Sequence, residues 1–184
     1  MERPLTSSPP HNVVMANPVF DAVRTIMAIR DYQQKPIPAD VVTRIVDAGR
    51  LTASASNQQE WHFVVVRQRE TLERLADAVR TGRYVREAPL AVAVAVESGS
   101  PYAISDGSRA IQSMILTAWD AGVGSNWTGF GGLEGVRNKV RLPDRYEVLA
   151  VLPLGYPARP VKGSKKRKSL SEVASAERFG TPLA

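Results

Sequence analysis

Thr52-Ala53-Ser54-Ala55-Ser56-Asn57-Gln58-Gln59-Glu60 runs directly into Trp61-His62-Phe63-Val64-Val65-Val66. The first part is small and polar, the composition of a turn-rich loop. The second is aromatic and β-branched and is bounded by charges, the composition of a buried strand. A loop able to hydrogen-bond a polar planar ligand therefore feeds a core strand, and the neighbouring segments must supply the layers that cover it.

Toward the C-terminus, Leu72, Leu75, Ala76 and Val79 recur at helical spacing, and Leu90 to Val96 is an apolar run too continuous to be half exposed. Ile111, Met114, Ile115, Ala118 and Trp119 mark a long central helix ending at Gly122 and Gly124. A short helix around Leu133 to Val140 and a strand from Glu147 to Leu154 follow, the strand ended by Gly155, Pro157 and Pro160. Toward the N-terminus, Val41, Val42, Ile45 and Val46 predict a helix closing near Gly49, behind the breakers Pro36 and Pro38. Asn17-Pro18 has the form of an N-cap and N1 proline, and Val19, Val23, Ile26 and Met27 predict a first helix reaching about Ile29. Ser169-Leu170-Ser171-Glu172 is a capping-box sequence and predicts a last helix extending to Phe179. Residues 1–17, rich in Pro, Ser and Asn, read as a flexible leader. Residues 18–184 read as a single α+β domain, a central mixed β-sheet flanked by helices.

Composition sets the limits. A chain of 184 residues that is 43% hydrophobic and 23% charged suits one globular core. It has no cysteine, which removes disulfides, thiolate nucleophiles and Cys-based metal sites. Its two histidines, His11 and His62, provide no evident base for a catalytic triad, and His62 within a strand reads as structural. No stretch approaches the roughly 18 apolar residues of a membrane span, and Met1-Glu2-Arg3-Pro4 does not open a secretory signal, so a cytoplasmic location is expected. Lys162, Lys165, Lys166, Arg167 and Lys168 account for all but one of the formal +6 charges. The charge is thus a local anion site or a solvated tail rather than a nucleic-acid-binding face.

By default the loop at Ala53 to Asn57 is an ordinary turn, and Gly129, Gly131 and Gly132 form an ordinary Gly-rich connection. No G-x-x-x-x-G-K-[ST] or G-x-G-x-x-G is present. Arg30 is by default a charge at a helix C-terminus. Trp61, Trp119 and Trp127 are core residues first.

The order of these pieces resembles the FMN-dependent nitroreductase family from about Val19 to Phe179. Ala28-Ile29-Arg30-Asp31-Tyr32 followed by Pro36-Ile37-Pro38 is similar to the family's Arg-Arg-Ser-x-Arg-x-Phe and Pro-Val-Pro opening. Ser54 to Phe63 is similar to its Pro-Ser-x-x-Asn-x-Gln-Pro-Trp-x-Phe signature. Ala121-Gly122-Val123-Gly124 with Trp127 to Phe130, Leu154-Gly155-Tyr156-Pro157, and Arg167 ahead of Leu170 and Glu172 match its later elements. The resemblance implies a homodimer with FMN in the subunit interface, NADH or NADPH as co-substrate, and a small-molecule electron acceptor such as a nitroaromatic or quinone. It implies no nucleic-acid or membrane partner. Carried over, Arg30 faces the flavin pyrimidine oxygens, and Ser54 and Asn57 with the backbone of Ala53 and Ala55 reach a flavin held mainly by the partner subunit. Thr128 and Gly129 offer backbone N–H groups near the flavin ring, and Lys165 and Arg167 bind the phosphate.

The sequence also departs from the family. Ile26-Met27-Ala28 replaces the Arg-Arg-Ser triplet and leaves only backbone contact from Met27 and Ala28, while Ala53 and Glu60 replace prolines. The stretch from Val96 to Asp106 lacks a covering insertion, so an open, unselective site is expected. A deazaflavin-dependent reductase, or a flavin-binding protein without catalysis, is the alternative on the same fold.

Overall fold

The computed structural model describes residues 17–79, 82–130 and 133–183. The leader expected over 1–17 lies, apart from Asn17, outside them. A four-stranded sheet in the order β1-β2-β4-β3 forms the middle of the molecule. Its strands are β1 (Trp61–Val66), β2 (Leu90–Glu97), β3 (Gly124–Ser125) and β4 (Tyr146–Gly155). The helices are α1 (Pro18–Thr25), α2 (Ala39–Arg50), α3 (Arg69–Ala78), α4 (Arg83–Glu87), α5 (Ala103–Asp120), α6 (Glu134–Lys139) and α7 (Leu170–Val173).

β2 is buried along nearly its whole length because both sheet faces are covered. Leu90, Val92, Val94 and Val96 face α2 and α5, packing with Ile45, Ile111 and Met114. Ala91 and Ala93 face the opposite layer with Leu72, Leu75, Val85 and Val136. A bulge between Val94 and Ala95 inserts Leu149 into β4. Leu149 and Ala150 therefore both serve the first face while Val148 and Val151 serve the second. The central helix α5 lies close against the sheet: a Cβ on Gly107 would stand 2.6 Å from Val96 Cγ1 and 2.9 Å from Leu149 Cδ2.

Several expectations are corrected. Among the described residues the four strands pair antiparallel rather than as a mixed sheet, and parallel pairing is confined to a bridge between Ala28 and Ser125. That bridge also explains why α1 stops at Thr25 instead of reaching Ile29. The Ile29 N–H goes to the Ser125 carbonyl at 2.8 Å, so residues 26–29 run alongside β3, and tertiary pairing overrides helical periodicity. Arg30 is consequently not at a helix end. α7 begins at the expected capping box, with the Ser169 N–H donating to Glu172 at 2.8 Å. It makes a single turn and buries no residue, so nothing holds the helix on to Phe179. The Ala55–Asn57 3₁₀ turn, α4 and the two-residue β3 were not anticipated; each is too short to carry a period.

Candidate active site

β4 organises the site because three segments dock on it. Ser125 pairs with Leu154. Thr128 exchanges both backbone bonds with Val151, at 3.0 and 2.9 Å. The 26–32 segment joins through β3, where Gly124 is required: a Cβ there would stand 2.4 Å from Ile29 Cγ1. Tyr32 anchors the far end of that segment. It is buried, and its hydroxyl donates to the Ile29 carbonyl at 2.6 Å with the Pro153 carbonyl at 3.3 Å. Burial pushes this phenol's pKa up despite the nearby Arg30, so it remains a neutral donor.

These dockings leave a cleft of about 650 Å³ between the end of α1, the Ile26–Ala28 stretch, Gln112 and Ile115 of α5, and Ser125 to Trp127. Lys165 and Arg167 close it. Its size falls in the range of roughly 300–1,000 Å³ usual for small-molecule sites. The Lys165 ammonium donates to the Val23 carbonyl and Arg167 to the Lys166 carbonyl at 2.8 Å. Among the described residues neither cation has a carboxylate within ion-pairing distance. Partial burial and the adjacent Arg167 lower the Lys165 pKa. The amide N–H groups of Met27 and Ala28 likewise find no acceptor among the described residues. Two unbalanced cations and two open amides thus share one partly apolar cleft, a donor set that suits a phosphate group.

Of the candidate residues, Met27, Ala28, Lys165 and Arg167 meet at this cleft. Arg30 does not. It lies in a separate depression with its guanidinium 5.5 Å over the Tyr84 ring. Ala53, Ser54, Ala55 and Asn57 also stand off the cleft of their own chain. The Ala55 N–H is already committed to Asp106 Oδ2 at 2.7 Å, and Ser54 Oγ accepts from the Gln59 N–H at 3.0 Å. The Thr128 N–H is likewise spent on Val151, whereas the Gly129 N–H finds no acceptor among the described residues. Gly131 and Gly132 lie outside the described residues. His62 is exposed, with its ring 5.8 Å from Tyr146.

Sequence reasoning missed two residues. Arg24, in the last turn of α1, lines the same cleft as Lys165 and Arg167. Asp106, in the first turn of α5, is 2% exposed and holds the 53–57 loop. Burial raises its pKa, but the Ala55 N–H and the Arg109 guanidinium together outweigh that and hold the carboxyl below its ordinary range. A lone acidic residue inside an apolar helix face was the available signal.

The model of the nitroreductase family matches residues 23–95 and 83–156. A protein of Methanothermobacter thermautotrophicus, provisionally named an NADH dehydrogenase/NAD(P)H nitroreductase, is 36% identical over 148 residues, 76% of this chain and 78% of that protein. A Bacteroides thetaiotaomicron crystal structure with the same provisional name superposes with a TM-score of 0.82 at 28% identity, covering 90% of this chain and all of that one. An FMN-bound nitroreductase from Bacteroides fragilis superposes with a TM-score of 0.74 at 24% identity, covering 88% of this chain and all of that one. Family model, sequence relative and fold agree: the chain belongs to the nitroreductase family.

Proposed function

We propose that this chain is an FMN-dependent oxidoreductase that takes hydride from NADH or NADPH and reduces a small acceptor such as a nitroaromatic or quinone. One observation carries the reading: Lys165 and Arg167, balanced by no carboxylate among the described residues, face a cleft shared with the open amides of Met27 and Ala28. Two adjacent cations repel each other, and an anion between them relieves that repulsion.

FMN, when bound, supplies the hydride-transfer chemistry. The chain supplies charge and position. Lys165 and Arg167 hold the phosphate with the Met27 and Ala28 amides. Arg30, three residues beyond Met27 on an extended segment and so roughly 10 Å further along, would present its cation to the pyrimidine oxygens on swinging away from the Tyr84 ring. Positive charge there stabilises an anionic reduced ring. Gly129 offers its amide near the ring, and the apolar side chains of Ile26 and Ile115 exclude water and strengthen each ionic contact. The Ala53 to Asn57 loop, which does not line the cleft of its own chain, serves the flavin of a second subunit.

A homodimer completes this reading. α1 buries no residue and exposes Val19, Phe20 and Val23, while Leu170, Val173, Phe179 and Leu183 stand exposed in the C-terminal segment. The nicotinamide donor accords with the name of the Methanothermobacter relative. Among the described residues no helix is long and apolar enough to cross a membrane, in keeping with action on soluble substrates in the cytoplasm. Initial rates with NADH or NADPH against a quinone test the function. Parallel double-reciprocal lines are expected, because one open pocket serves donor and acceptor in turn; no turnover with either donor contradicts it.

The second reading is a deazaflavin-dependent reductase, favoured by the loss of side-chain donors at Ile26-Met27-Ala28. Competition between FMN and a deazaflavin for the apoprotein separates the two.

A further inference from the structure

A third cation stands on the cleft. Arg24 closes α1 with a side chain 61% exposed, its guanidinium held by Asp21 Oδ1 at 3.0 Å one turn back. The Lys165 ammonium donates to the carbonyl of Val23, the residue before Arg24, so Arg24, Lys165 and Arg167 converge on the end of one helix. Among the described residues Asp21 is the sole carboxylate paired with any of the three. An exposed pair spaced i,i+3 contributes little and is readily exchanged. On the adjoining wall Ile26, Met27 and Ala28 bring no side-chain donor.

We propose that Arg24 is a specificity-determining residue of the flavin site: its guanidinium leaves Asp21 for the phosphoryl group of the incoming ligand, and so selects phosphorylated over unphosphorylated flavin. The inference rests on the FMN reading above. A phosphate monoester carries roughly −1.5 to −2 charges at neutral pH. Lys165 and Arg167 each already commit one donor to a backbone carbonyl. A guanidinium adds two parallel donors matched to phosphate oxygens, which a backbone amide or a lysine does not. Asp21 is then a competitor for the same guanidinium, and its removal favours the ligand.

The test titrates the apoprotein with FMN and, separately, riboflavin, following quenching of flavin fluorescence, for the wild type, Arg24→Gln, Asp21→Asn and the double variant. Both side chains are exposed, and circular dichroism checks that each variant keeps its helix content. Arg24→Gln is expected to weaken FMN by about tenfold and leave riboflavin unchanged. Asp21→Asn is expected to tighten FMN by about two- to threefold without affecting riboflavin, and the double variant to match Arg24→Gln. The proposal is overturned if Arg24→Gln weakens both flavins equally, or neither, while Lys165→Gln still weakens FMN selectively. If the wild type binds neither flavin, the FMN reading itself fails and takes this inference with it.

Discussion

The Ala55 backbone N–H and the Asp106 carboxylate meet at 2.7 Å across fifty-one positions of sequence, joining the 53–57 loop to the first turn of the central helix. The loop needs that tether. Ser56, Asn57 and Gln59 all adopt positive φ, at 49°, 55° and 55°, a conformation costly for residues other than glycine. Asp106→Ala is therefore expected to destabilise the protein by about 1–3 kcal/mol and lower Tm by several degrees in a thermal melt. The sign with pH follows from the lowered carboxyl pKa. This contribution is complete above the unfolded value of about 4 and fades as pH falls through the folded value. Urea melts of the wild type and Asp106→Asn are expected to differ more at pH 7 than at pH 3.

Partial burial and the neighbouring Arg167 cation both disfavour the charged form of Lys165. Lys165→Gln is expected to raise the melting temperature of the apoprotein slightly while weakening FMN by about tenfold or more. Because Lys165 has a lowered folded pKa, the apoprotein is also expected to gain stability as pH rises through that value toward the ordinary lysine range. Thermal melts with and without FMN check both signs.

The exposed apolar side chains of α1 and of the C-terminal segment predict a dimer of twice 20.1 kDa in sedimentation equilibrium. Leu170→Asp combined with Val173→Asp is expected to raise the dimer dissociation constant by at least about tenfold, at two positions that bury nothing within their own chain.

Gly107 lies within α5, where alanine ordinarily gains about 1 kcal/mol in helix propensity. Here the added Cβ would stand 2.6 Å from Val96 and 2.9 Å from Leu149, both buried. Overpacking of this kind costs about 1–3 kcal/mol, so Gly107→Ala is expected to destabilise, with the sign read from the urea midpoint.

The long elements were legible because burial imposes a period. β1 was read to its observed limits and β2 to within a residue, and α2 and α5 followed from their apolar spacing. What escaped depends on contacts distant in sequence. Nothing local in Ile26 to Ile29 states that Ile29 pairs with Ser125 rather than continuing a helix. Nothing in Thr128 states that its N–H is spent on Val151, and nothing in Arg24 states that α1 ends beside Lys165. Motif order located the cation pair and the 53–57 loop. The tether at Asp106 and the position of Arg30 over Tyr84 required the fold.

The most direct test of the account is the visible spectrum of the purified protein supplemented with FMN, followed anaerobically by NADH and then NADPH in the same cuvette. The account predicts a bound-flavin spectrum that bleaches with one or both donors. A protein that takes up no FMN, or holds it without bleaching by either donor, would contradict the account.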